Sequence, residues 1–221
     1  VPGPTVVLFG GLHGNEPAGA RAIGVVLAQL REGRLPLRGE LVGLAGNRRA
    51  LAAGRRYLDR DLNRGWLPDQ IARLWRADRT AAEDLEQREL LRALAPLLAF
   101  AREPIVFLDL HSTSGDGPPF TCMADVLRNR PVAFALPVPL ILGIEEILEG
   151  SLMGYLCDLG HVAVAVEGGQ SQAARTQRHH EAAIWLTLVA AGALEATQVP
   201  ELAELRQLLA DAARGLPPVI E

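Results

Sequence analysis

The chain alternates between short, continuously apolar segments and longer segments in which apolar residues recur at helical spacing. The apolar segments predict four buried strands, over residues 5–11, 39–46, 104–111 and 161–169. The amphipathic segments predict helices over residues 16–33, 81–103, 176–196 and 201–215. Apolar strands separated by helices predict an α/β fold, with a mostly parallel or mixed central sheet and helices on both faces.

Three of the four predicted strands end in polar residues that a buried strand does not need. His13 and Glu16 follow the first strand, His111 ends the third, and Glu167 ends the fourth. The carboxyl ends of parallel strands meet at one edge of a sheet, and ligands bind outside that edge. We therefore expect these four side chains to lie close together.

The segment GGLHGNE, residues 10–16, raises a choice between a phosphate-binding turn and a metal site. Its glycines do not follow the G-x-G-x-x-G spacing and no G-K-[ST] follows, so the nucleotide hypothesis is weak. Two histidines and one glutamate form a ligand set of catalytic zinc. We predict that His13, Glu16 and His111 bind one Zn²⁺ per chain.

Glu167 is the candidate base that such a metal site needs. Burial at the end of a strand would raise its pKa, and a nearby metal ion would lower it. The alternative is a carboxylate that caps a turn or forms a salt bridge. Its position at a glycine-bounded strand end, beside the other candidates, favours the base.

The three remaining histidines predict structural or surface roles. His179 and His180 are adjacent at the polar start of a helix, where we expect them to be solvated. His161 follows a glycine just before a strand, which favours a role in a turn. None of the three is predicted to bind the metal.

The segment RRYLDRDLNRGW, residues 55–66, has little periodicity and predicts a loop. Arg56 and Arg64 stand out in it, because guanidinium groups bind carboxylates and developing oxyanions well. A charge-rich loop is also typical of a solvated surface, and composition alone leaves that alternative open.

Composition excludes several classes of function. The chain has 221 residues and a net charge of −4, which gives no electrostatic support for binding nucleic acid or an anionic membrane. Its longest apolar runs are interrupted by prolines, and no secretory signal is visible. Cys122 and Cys157 are its only cysteines, which predicts reduced thiols and a cytoplasmic location.

The motifs GGLHGNE, RYLDRDLNR, DLHST and VEGGQ, in this order, resemble the succinylglutamate desuccinylase/aspartoacylase family of zinc carboxypeptidase-like hydrolases. The resemblance implies a zinc ion at His13, Glu16 and His111, with Glu167 as general base and acid on a metal-activated water. It also implies that Asp61 lies behind a zinc histidine and orients its imidazole.

The same resemblance implies roles for the arginine loop and a reaction. Arg56 would polarise the scissile carbonyl, and Asn63 with Arg64 would bind a substrate carboxylate. The implied activity is a zinc-dependent amidohydrolase, acting on linear amides other than peptide bonds in a small N-acyl amino acid or related metabolite. The alternatives are a zinc carboxypeptidase acting on short peptides and a non-catalytic binding module that retains the fold. The sequence does not decide whether the protein forms a homo-oligomer.

Two features depart from the family pattern. Aspartoacylases carry a substrate-binding arginine about ten residues before the base, where this sequence has Cys157 on an ungapped count, which disfavours N-acetylaspartate as substrate. Family members also continue into a C-terminal β-rich domain. We therefore expect a catalytic domain over residues 1–214, and a linker stub over residues 215–221 toward a β-rich domain that this sequence lacks.

Overall fold

The computed structural model describes residues 2–76, 80–144, 148–199 and 201–220. The strands are β1 Thr5–Gly10, β2 Glu40–Ala45, β3 Val106–Thr113, β4 Phe120–Cys122, β5 Leu140–Ile141, β6 Val162–Gln170 and β7 Val219–Ile220. The helices are α1 Pro17–Glu32, α2 Arg48–Ala53, α3 Pro68–Leu74, α4 Ala82–Phe100, α5 Arg130–Ala135, α6 Leu152–Asp158, α7 Ala174–Ala190 and α8 Leu202–Ala212. No helix in these described ranges is long and apolar enough to cross a membrane.

The strands form one mixed sheet in the order β2-β1-β3-β6-β4-β5-β7. Strands β2, β1, β3 and β6 are parallel, whereas β4 runs antiparallel to β6. The predicted α/β class and mostly parallel or mixed sheet are thereby confirmed. The three strands that the sequence did not predict are two or three residues long, too short for a periodic signal.

Helices cover both faces of the sheet, as predicted. On one face, Leu108 and Val164 pack in a core with residues of α1, α7 and α8. On the other face, Phe107 and Ala163 pack with residues of α4 and α6. Burial on both faces explains why the central strands are continuously apolar.

The last residues described extend the sheet past position 214. Val219 and Ile220 pair with β5 as an edge strand, so this part of the predicted linker lies in the sheet. Residue 221 of that predicted segment lies outside the described residues.

Candidate metal centre

A tight turn after β1 carries His13 and Glu16 to the carboxyl edge of the sheet. Gly11 has a φ of 74°, a left-handed conformation that glycine adopts without strain. A Cβ atom at Gly14 would lie 2.1 Å from the carbonyl carbon of Ala50, so only glycine allows the turn to pack this closely on α2. The glycines therefore serve to place the two side chains.

Three buried side chains direct ligand atoms at one another. One donor atom from each of His13, Glu16 and His111 lies within 4.8 Å of the other two. Glu16 stands between the rings, with Oε1 3.0 Å from Nδ1 of His13 and Oε2 3.1 Å from Nδ1 of His111. Nδ1 of His13 is buried and has no hydrogen-bond partner of acceptable geometry among the described residues. Two imidazoles and a carboxylate are ligands that suit a zinc ion, and Nδ1 of His13 has a lone pair available for one.

The far nitrogen of each imidazole faces an aspartate. Nε2 of His13 is 3.1 Å from Oδ1 of Asp61, and Nε2 of His111 is 2.7 Å from Oδ2 of Asp109. A carboxylate in this position fixes the tautomer and the ring orientation, which leaves Nδ1 to bind a metal. Asp109 is missing from the predicted site, although the spacing D-x-H places both side chains on one face of a strand.

The charges of the group favour a cation at its centre. Burial alone would raise the pKa of Glu16, but its close contacts with His111 and His13 hold it well below its usual range. Burial would lower the pKa of His111, but Asp109 and Glu16 raise it well above its usual value. Burial would also lower the pKa of His13, but the neighbouring carboxylates of Asp61 and Glu16 have the larger effect and raise it. The lowered pKa of Glu16 favours its ionised form, which attracts positive charge, from a proton or a metal ion.

Glu167 lies beside His111, because the two residues are partners in register on β6 and β3. Both lie inside their strands, which continue two or three residues beyond them, and not at the strand ends that the sequence predicts. Just beyond this pair the register shifts, and β6 has one extra residue at Gly168–Gly169. Burial raises the pKa of Glu167, and its Oε2 is buried without a partner among the described residues. This oxygen is suited to accept a proton.

The predicted loop over residues 55–66 runs beside His13, Glu16 and His111. It is irregular, with a short 3-10 turn at Leu62–Arg64. Nη1 of Arg56 lies 3.3 Å from Oε1 of Glu16, and its Nη2 lies 3.3 Å from Oδ2 of Asp61. Arg56 thus contacts one predicted ligand and the carboxylate behind another.

Asn63 and Arg64 belong to the same loop and lie on its side toward α6. Nδ2 of Asn63 lies 3.5 Å from Nε2 of His111, and its Oδ1 accepts a hydrogen bond from the backbone N–H of Leu152 at 2.8 Å. Nη1 of Arg64 donates to the backbone oxygen of Asn63 at 2.6 Å. Arg64 forms no ion pair with the carboxylates in the described ranges.

Glu83, in the first turn of α4, holds this loop in place. Its fully buried carboxylate accepts hydrogen bonds from the backbone N–H groups of Leu58, Asp59 and Arg60 and from Nδ2 of Asn47, at 2.7 to 3.2 Å. Burial would raise the pKa of Glu83, but these four donors lower it. The sequence does not single out Glu83, because an acidic residue in the first turn of a helix is common.

The group of His13, Glu16 and His111 opens into a pocket of about 350 Å³. Its polar lining includes the predicted ligands, Glu167, Arg56, Asn63 and Arg64. Its apolar lining, here termed the apolar wall, includes Met123, Ile144, Leu148, Met153, Ala163 and Ala165. The predicted site residues are therefore together in one pocket, except Asp61, which lies behind His13.

The prediction that His179 and His180 are solvated is wrong. Both are buried where α7 packs on β6: Nδ1 of His179 lies 2.7 Å from the oxygen of Gly168, and a Cβ at Gly168 would meet the ring of His180 at 2.6 Å. Burial lowers the pKa of His180 to about 3, so this ring is neutral. His161 accepts a hydrogen bond from the backbone N–H of Ile105, which is a structural role.

The sequence of the chain decides its family. Residues 2–190 match the family described as the Succinylglutamate desuccinylase/Aspartoacylase catalytic domain. The chain belongs to this family. The matched range contains every residue of the site described above.

Individual relatives of the succinylglutamate desuccinylase/aspartoacylase family match over different lengths. The Succinylglutamate desuccinylase of Yersinia pestis (strain Pestoides F) is 42% identical over 60 residues, which are 27% of this chain and 18% of that protein. A solved succinylglutamate desuccinylase/aspartoacylase from Rhodobacter sphaeroides has the same fold, with 24% identity, a TM-score of 0.69, and coverage of 90% of this chain and 58% of that chain.

A second solved structure is the product-bound ectoine utilization protein EutE (DoeB) from Ruegeria pomeroyi. It is 25% identical, with a TM-score of 0.66, and the match covers 88% of this chain and 59% of that chain. The chain thus spans about three fifths of the length of these two structures, and its match to the Yersinia protein spans less than a fifth of that protein.

Proposed function

We propose that the protein is a zinc-dependent deacylase that hydrolyses the amide bond of small N-acyl amino acids. The observation that carries the proposal is the convergence of His13, Glu16 and His111 beside Glu167, in a pocket that also contains Arg64, which pairs with no carboxylate in the described part of the chain. Membership of a family of desuccinylases and aspartoacylases supports the reaction class. We expect the reaction in the cytoplasm, where both cysteines stay reduced.

His13, Glu16 and His111 would hold the zinc ion, with Asp61 and Asp109 orienting the two rings. A zinc ion at this position supplies Lewis acidity, which makes water a competent nucleophile near neutral pH. The three ligands leave the pocket side of the group open to substrate.

Glu167 would move the proton. Its buried Oε2 would take the proton of the attacking water and deliver it to the nitrogen of the leaving amine. Its raised pKa suits both steps, because the carboxylate must first accept a proton and then release it.

The loop residues would bind and polarise the substrate. A guanidinium has five N–H donors, and Arg56 uses two of its nitrogens on Glu16 and Asp61, so donors remain for the carbonyl oxygen as its negative charge develops. Arg64, with Asn63 beside it, would bind the carboxylate of the amino acid through a charge-assisted pair.

An assay of amine release tests this proposal. The purified chain, loaded with zinc, is incubated with a panel of N-acetyl amino acids and, in parallel, with short unblocked peptides. We expect release from the N-acetyl compounds, loss of activity after chelation, and recovery with zinc. Faster cleavage of the peptides would instead identify a carboxypeptidase. Absence of both zinc and turnover would identify a non-catalytic binding module.

A further inference from the structure

The apolar wall lies next to the residues proposed to bind the substrate carboxylate. The segment that carries Leu148 and Met153 is joined to the arginine loop by two hydrogen bonds. The backbone N–H of Leu152 donates to Oδ1 of Asn63 at 2.8 Å, and the backbone N–H of Trp66 donates to the oxygen of Gly150 at 3.1 Å. A substrate whose carboxylate binds Arg64 therefore places the atoms next to that carboxylate against the apolar wall.

The floor of this part of the pocket is formed by two alanines of β6. Ala165 is the register partner of Asp109 and Ala163 is the partner of Phe107, on the same face of the sheet as Glu167. Because a strand rises roughly 3.3 Å per residue, Ala165 lies about 7 Å along the strand from Glu167. The small side chains of the two alanines leave space in the pocket. The space lies about as far from Glu167 as the side chain of an amino acid extends from its scissile amide.

Among the described lining residues of the pocket, Arg64 is the one arginine without a carboxylate partner. The other arginine, Arg56, is paired with Glu16 and Asp61. Residues 145–147, outside the described structure, include no basic residue in the sequence. A second carboxylate at the apolar wall would lose its hydration without gaining a cation, and Asp109 and Glu167 would repel it.

We infer that the apolar wall binds the side chain of the amino acid, so that the preferred substrates are N-acyl derivatives of apolar amino acids and not of aspartate or glutamate. This inference rests on the proposed function, and it specifies the half of the substrate that leaves as the amine. Met153, in the first turn of α6, and Leu148 are the side chains that would select against a second charge.

A substrate panel on the zinc-loaded full chain tests the inference. We expect kcat/KM for N-acetylmethionine and N-acetylleucine to exceed that for N-acetylaspartate and N-acetylglutamate by on the order of 100-fold. Equal or greater activity on the acidic compounds would overturn the inference and leave the deacylase proposal intact. Hydrolysis of none of the four compounds would overturn both.

A charge placed in the apolar wall gives a second test. Met153→Arg should lower the apolar-to-acidic ratio of kcat/KM by roughly tenfold or more, because it supplies the missing cation. Leu127→Arg adds the same charge at a side chain that is 79% exposed and outside the pocket, and it should leave the ratio unchanged. Leu148→Arg replaces Met153→Arg if thermal unfolding shows that the latter does not fold. An unchanged ratio in the folded variant would contradict the inference.

Discussion

Asp61 lies behind His13, with its Oδ1 3.1 Å from the ring nitrogen that faces away from Glu16. The same carboxylate also accepts a hydrogen bond from the backbone N–H of Asn63, and its other oxygen contacts Arg56. One aspartate thus joins the metal-binding turn after β1 to the arginine loop. The pair orients the imidazole so that Nδ1 faces Glu16 and would be the atom that binds a metal ion.

Replacement of this aspartate tests that role. Asp61→Asn keeps the side-chain oxygen but removes the charge that fixes the tautomer of His13, so the Kd for zinc should rise by about 10- to 100-fold. Competition with a chromophoric chelator measures it. Asp69→Asn, which changes a carboxylate that pairs with Arg73 on the surface, is the matched control and should leave the Kd unchanged. Equal zinc affinity in the two variants would contradict the role of Asp61.

Glu167→Gln should separate metal binding from turnover. The amide keeps the size of the side chain but cannot accept the proton, so we expect full zinc content and a loss of kcat of at least roughly 100-fold. Metal analysis and an amine-release assay on the same sample check both parts. Hydrolysis at the wild-type rate would show that another group is the base.

Glu83→Gln should destabilise the fold. A glutamine oxygen can accept from some of the four donors but its NH₂ group faces the rest, so we expect a loss of about 2–4 kcal/mol in the free energy of unfolding at pH 7. Glu204→Gln changes an exposed carboxylate on α8 and should cost little. Denaturant unfolding of both variants measures the difference, and equal stability would contradict the proposed anchor.

The cost of Glu83→Gln should also depend on pH. The folded protein holds the pKa of Glu83 below its ordinary value of 4.5. The stability that the carboxylate contributes is therefore complete above pH 4.5 and is lost as the pH falls through the lowered pKa. The difference between wild type and variant should shrink on acidification below pH 4.5. A difference that stays constant or grows there would contradict the sign of the shift.

Gly14→Ala should disrupt the metal-binding turn. Its Cβ would overlap the backbone of Ala50, so we expect a loss of at least about 1–3 kcal/mol in stability and weaker zinc binding. Gly24→Ala on α1 is the control, because no atom lies within 4 Å of its Cβ, and it should stabilise the helix by up to about 1 kcal/mol. Similar melting temperatures for the two variants would contradict this packing.

The sequence allowed prediction of the residues whose positions follow from strand periodicity. His111 and Glu167 could be placed together because the carboxyl ends of buried parallel strands share an edge, and the structure shows the two as register partners. Asp109 follows from the same alternation, because it lies two residues before His111 on the same strand face. Glu83 could not be found, because its four donors lie 23 to 36 residues away along the chain and leave no local pattern.

The error at His179 and His180 has a different cause. A run of polar residues at a helix start predicts a solvated face, but α7 is packed between β6 and α8 and is buried nearly all round. Tertiary packing decided their environment, and His180 is neutral there because burial lowers its pKa. Local polarity gave no information on how many neighbours would cover this helix.

A zinc titration of the metal-free full chain tests the central claim most directly. The account predicts that wild type binds one equivalent of zinc per chain and that His111→Ala, which removes one of the three ligands, loses this binding. Circular dichroism confirms that the variant is folded. A wild-type chain that binds no zinc, or a folded His111→Ala variant that binds it with wild-type affinity, would contradict the account.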